Sequence, residues 1–372
     1  MWVACGDSTS RRMAHFMQIE RILKRWVGIL PLVLTIAFAV PTYGADCTLQ
    51  TQIPAPQREE LSNVARSLVS KVQGGDIAGL RNATLASVTA SFDGIANSAQ
   101  TLKPQIEQAG LTVDTLIGFA AAPGQQEGQG AQFFCGTADS STTVVLSFPS
   151  LPPGQYALAI VHATGVSKPQ QISLILAKTP ENQWKLAGFF AKPMMLGGQN
   201  GLWYWSEARQ YVQKGQNWPA WFYYQIAAFL VDPVDFLSST NMDKLRQEAE
   251  KVRPQDLPGE KSWTVNATGD TFNVTRVDTS TALGSLDFDI DYAPSTSQAA
   301  QLRDPVEARK QAIMLMTSVL LAHPGLRSAF HGLWVHANSG NASIFALELP
   351  MNEIPGGTTA TASNLETLQP GK

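Results

Sequence analysis

Charge is scarce in this chain. Of 372 residues only 15% are Asp, Glu, Lys or Arg, and the net charge of −3 leaves no basic field. Nothing in the composition therefore suggests nucleic acid or an anionic membrane surface as partner, which would need a basic field. Three cysteines and five histidines leave little material for thiol or metal chemistry. No Gly-x-Ser-x-Gly, His-Glu-x-x-His or phosphate-binding glycine loop occurs, which argues against the common hydrolases, metalloproteases and nucleotide enzymes. What is plentiful is apolar surface, 44% of residues, enough for about two domains with real cores.

The first 44 residues stand apart. Arg11, Arg12, Arg21, Lys24 and Arg25 form a basic leader, Trp26–Val40 is uncharged and apolar, and Thr42 and Gly44 put small residues at −3 and −1 of a cut after Gly44. That order predicts a secretory signal peptide over 1–44, cleaved near Gly44–Ala45. An apolar run shorter than the roughly 20 residues of a span, interrupted by Pro31, favours cleavage over a retained anchor. The mature chain is then expected in the periplasm or outside the cell, with no stable membrane span. Asp46 and Gly44 before Cys47 argue against a lipoprotein signal.

Cys5 leaves with the signal. Cys47 and Cys135 remain, an even pair in an oxidising compartment, and predict one disulfide. It would close about 90 residues and contribute roughly 4 kcal/mol.

Residues 57–72 carry Leu61, Val64, Ala65, Leu68 and Val72 at helical spacing, with Gly74, Gly75 and Asp76 as stop and cap. Leu80–Phe92 is expected to continue helically and 98–109 to form another helix. Strands are expected over 112–122, 131–135, 142–148, 155–163, 171–177 and 184–190, rich in β-branched and aromatic residues and divided by Pro/Gly turns. Helices followed by an antiparallel meander give an α+β class. A helix ending in Gly-Gly-Asp before Ile77, further short helices, and strands closing on Asn182–Phe190 (NQWKLAGFF) resemble the cone-shaped fold of the nuclear transport factor two and ketosteroid isomerase superfamily over 57–192. Leu151–Val161 (LPPGQYALAIV) resembles strands of an immunoglobulin-like sandwich; the leading helices favour the cone.

Residues 202–237 hold eleven of the 32 aromatics. Two helices split at Gly215–Pro219 fit there, and the spacing Tyr204, Ala208, Tyr211, Ala220, Tyr224, Ala227 resembles a single tetratricopeptide-like repeat. The expected organisation is a cone-like domain (45–192), a helical-hairpin region (193–253) with a third helix over 243–252, a linker at 254–259, a second small α+β unit (260–352) and a disordered tail (353–372). Within that unit, strands are expected over 262–267, 271–278, 285–292, 326–337 and 343–349, and a helix over 304–322.

Asp287, Asp289 and Asp291 alternate with apolar residues, which predicts a half-buried strand with a wet carboxylate face. His331 and His336, five apart on a strand, are expected on opposite faces. Neither pattern completes a ligand set, so no metal and no cofactor is expected. Asp76 fits a helix N-cap. The aromatic cluster is the informative feature, because tryptophan and tyrosine anchor protein interfaces. A tetratricopeptide-like hairpin implies peptide grooves and hence a protein partner, in the envelope or secreted. The expected function is an exported, non-catalytic binding or scaffold protein with Trp203, Trp205, Trp218, Trp221 and Tyr223 at its partner surface. Two alternatives are carried: an enzyme using a cone cavity, with His162 or Asp76 as acid or base, and a glycan or cell-wall binding module stacking sugars on the four tryptophans.

Overall fold

The computed structural model describes residues 47–122, 130–136, 142–259, 262–267, 269–340 and 342–356. The expected signal peptide lies outside the described residues, as does the expected tail beyond 356. The chain forms two compact units, one of residues up to Lys192 plus Pro233–Thr240, the other of Pro193–Asp232 plus Asn241 onward. The class is α+β, as the sequence predicts.

The first unit opens with β1 (Cys47–Leu49) and four helices, α1 (Ala55–Gly74), α2 (Ile77–Asn82), α3 (Ala86–Thr89) and α4 (Phe92–Ile106). It continues with β2 (Gly110–Ala121), β3 (Ala131–Cys135), β4 (Val144–Phe148), β5 (Gly154–Thr164), β6 (Gln170–Lys178) and β7 (Trp184–Pro193). α1 ends where Gly75 adopts a left-handed φ of 73°, a conformation that glycine takes without a Cβ penalty. The Asp76 side chain then accepts from the Gly79 amide at 2.8 Å and starts α2. The single helix expected over 80–92 is broken instead, because Ala83–Leu85 bond to β7: the Leu85 amide donates to the Leu186 carbonyl, and the Leu186 amide to that of Ala83. The amphipathic stripes of α1 and α4 bury Leu61, Leu68, Val72, Ile95 and Leu102 in one core with Ala157, Val161, Leu174 and Leu186 of the sheet β1-β2-β5-β6-β7.

The second unit takes up the chain with the short β8 (Met195–Leu196) and β9 (Gln199–Asn200), then the hairpin α5 (Gly201–Gln213) and α6 (Asn217–Val231). Residues 233–240 return to the first unit, where β10 (Leu237–Ser239) pairs antiparallel with β4. The Phe236 ring lies tilted against that of Phe148, with centroids 4.9 Å apart. α7 (Thr240–Lys251), β11 (Trp263–Ala267), β12 (Asp270–Ser280), β13 (Asp287–Ala293), α8 (Thr296–Gln301), α9 (Pro305–Ala322), α10 (Leu326–Ala329), β14 (Gly332–Ser339) and β15 (Ala342–Pro350) complete it. The sheet order is β11-β12-β13-β14-β15, antiparallel except where β13 and β14 run parallel. The three helices between them make the crossover that a parallel pair needs.

The hairpin and the C-terminal strands share one core. Tyr204, Tyr211, Trp218, Phe222, Tyr223 and Leu230 are buried in the same cluster as Phe288, Ile290, Met316, Val319, Leu333 and Val335. Two expectations are corrected here. Residues 326–329 form the turn α10 rather than the start of a strand. The tail's first residues are packed, with Ile354 buried and the Arg327 guanidinium donating to the carbonyls of Met351, Ile354 and Pro355. No helix among the described residues is long and apolar enough to cross a membrane.

Cys47 and Cys135 form the disulfide that the cysteine count predicts, closing 88 residues of chain and tying β1 to the end of β3. Replacing both with alanine should lower the unfolding free energy by about 4 kcal/mol. A shifted denaturant midpoint at unchanged slope reads this directly; a loss under roughly 1 kcal/mol would mean that β1 stays paired without the bridge.

Candidate functional site

Along β13, Phe288, Ile290 and Tyr292 are fully buried. The alternate residues share the other face of the sheet, as the period of two requires. That face is not wet. Asp287 has no exposed surface, and the Asp289 and Asp291 side chains keep only 15% of theirs. The cause is what the neighbouring strands bring. From β12, Arg276 donates to Asp291 at 2.7 Å and to Asp278 at 3.1 Å. From β14, His336 Nε2 lies 3.3 Å from Asp289, and its ring stacks on Trp334. From β15, Glu348 sits opposite Trp334. Burial pushes the Asp289 carboxyl above its ordinary value, and Asp291 and Asp278 add to the rise; His336 and Arg276 oppose it.

His331 also turns to this row, which corrects the expectation that it and His336 face opposite ways. It precedes β14 and so escapes strand alternation. Its amide donates to the Leu286 carbonyl, and its own carbonyl accepts from Met351, both at 2.8 Å. Held between the start of β13 and the end of β15, it brings Nδ1 to 3.5 Å from Asp287 Oδ1. Glu348 completes a group of three whose ligand atoms all lie within 4.8 Å of one another. Burial, and after it the Asp287 charge, push the Glu348 carboxyl up, while His331 draws it down. Neither carboxylate oxygen of Asp287 has a hydrogen-bond partner. A cleft of about 490 Å³, lined by Arg327, His331, Met351 and Asn352, lies beside the group.

The residues singled out from sequence fare differently. Trp218, Trp221 and Tyr223 are buried, not presented to a partner. Trp218 stacks on His323 with centroids 4.1 Å apart and donates its indole N–H to Asp256. Tyr223 makes a short hydrogen bond to the Ala329 carbonyl. Trp205 is half-buried, donating to Glu248 at 2.7 Å under the Arg209 guanidinium, which itself holds Glu248 through two 2.8 Å bonds. Trp203 is the one tryptophan among the described residues with an exposed ring, at 37%, beside Leu202 at 66%.

In the first unit, His162 on β5 is partnered locally, with Nε2 3.3 Å from Gln171 and Nδ1 3.8 Å from Asp114. Asp76 is the half-exposed cap already described, 3.6 Å from Lys71. The two have no partner in common. A groove of about 370 Å³ between α1 and Trp184 is lined by neither of them. Comparison with protein-family models, curated proteins and solved structures finds no match.

Trp218→Ala should destabilise the protein by about 3–5 kcal/mol, the cost of emptying a buried aromatic site. His323 carries a pH signature. Burial lowers its proton affinity against the pull of Asp256, so the unfolded chain binds a proton that the folded one refuses. Stability should therefore decline as pH falls below about 6.5 and level off below the folded value. His323→Phe, which keeps a ring against Trp218, should remove that part of the slope; an unchanged profile would assign the decline to other groups.

Proposed function

We propose that this chain is an exported, non-catalytic binding protein that engages a protein partner in the envelope or outside the cell. The observation that carries this is the apolar pair Leu202 and Trp203 on the first turn of α5, both exposed although the Trp203 ring rests against Tyr204 and Tyr223. An exposed indole is the kind of side chain that anchors an interface. The matching partner offers an apolar pocket deep enough for that ring, with a polar rim to meet Arg209 and Gln210, both exposed on the same helix. The resemblances to a cone fold and to a single tetratricopeptide-like hairpin belong to this proposal. So does export, which rests on the leader and is supported by the disulfide.

A flat glycan platform of four tryptophans is not available, because Trp218 and Trp221 lie in the core. The alternative of an enzyme with His162 or Asp76 as acid or base has less support, because the groove beside α1 is lined by neither residue.

A photo-crosslinking residue placed at 203 tests the reading in the envelope fraction, with the same residue at the exposed Val306 as control. One protein captured from 203 and not from 306, whose binding to the purified chain weakens at least about tenfold with Leu202→Ser, is expected. Equal capture from both positions, or none, would refute the surface.

A further inference from the structure

We infer that Asp287, His331 and Glu348 form a binding site for a first-row divalent cation of the zinc type, open on one side to the cleft at Arg327 and Asn352. The inference is independent of the partner surface on α5.

Two carboxylates and an imidazole from three separate segments converge, with ligand atoms within 4.8 Å of one another. Carboxylate and imidazole donors suit a borderline cation such as Zn²⁺, at about 2.0–2.2 Å from each atom. Calcium would want six or more oxygens, so it is the wrong ion for this donor set. Contraction onto the metal is modest, because the His331 side chain is 61% exposed and free to turn while Asp287 is fixed.

Asp287 supplies a second, separate reason. It is completely buried, and apart from His331 Nδ1 at 3.5 Å, too far for a hydrogen bond, neither of its oxygens has a polar partner. A buried carboxylate is ordinarily paired or bound to metal, since leaving it bare costs several kcal/mol. The backbone has also been cleared for this arrangement. A Cβ on Gly332 would stand 2.2 Å from Glu348 Oε1 and 2.9 Å from Asp287 Oδ1, so any side chain at 332 would separate the carboxylates. Arg327 is occupied with three carbonyls of 351–355 and braces the cleft wall. It does not neutralise the acids. Three protein ligands leave at least one coordination position facing the cleft, for water or for a small ligand that donates oxygen.

The test uses the mature chain, stripped with chelator and titrated calorimetrically with Zn²⁺, Mn²⁺ and Ca²⁺. One equivalent of Zn²⁺ should bind, raise the melting temperature, and bind at least about tenfold more weakly to His331→Ala and to Asp287→Asn. His331 is exposed enough for its alanine variant to fold. Gly332→Ala should weaken Zn²⁺ similarly through displacement of Glu348, and Glu307→Gln, a half-exposed acid on α9 paired with Lys310, should change nothing. Absence of a Zn²⁺ isotherm at millimolar concentration, binding undiminished in all three site variants, or a preference for Ca²⁺ would each overturn the site.

Discussion

Phe288, Ile290 and Tyr292 lie in the core with α9 and the aromatic hairpin, and that burial fixes where their neighbours on β13 must point. Successive side chains of a strand take opposite sides. Once three large apolar groups are committed to the core, Asp287, Asp289 and Asp291 have no choice but the far face. The strands on either side then answer that charge with Arg276 from β12 and His336 from β14. The polar row is thus a by-product of core formation that neighbouring strands have made tenable. At Asp287 the chain brings His331 to 3.5 Å but no hydrogen bond to either oxygen.

The pairing of distant segments does the remaining positioning. His331 owes its place to two backbone hydrogen bonds, one to residue 286 and one to residue 351. Glu348 arrives by the register of β15 on β14. Three groups from three segments are held by main-chain bonds rather than by their own side-chain contacts. Side-chain substitutions there would alter chemistry with little effect on the scaffold.

Much of this was legible in the sequence. Residues 131–135 form the expected strand without adjustment, and the Gly75 stop and Asp76 cap follow from residue type alone. The acid row was readable as one face of a strand; its burial was not, since Arg276, Trp334 and Glu348 reach it only through strand pairing, the nearest 15 residues before Asp291 and the farthest 61 after Asp287. Three of the five aromatics expected at the surface, Trp218, Trp221 and Tyr223, are buried for a local reason. α6 buries ten of its fifteen residues, with side chains inward all round. A helix apolar on every side belongs inside a core, and that signal was present at Trp218–Tyr224. The broken helix at 83–85 turned on a bond to β7, a partner a hundred residues away.

The excursion of residues 233–240 has a consequence for how the chain is made. β10 is the edge partner of β4, yet it is encoded after the whole of the α5–α6 hairpin. The first unit therefore remains unfinished, with the β4 edge unpaired, until synthesis has passed residue 240. An unpaired edge invites mispairing. That interval of vulnerability is set by the time the hairpin takes to emerge.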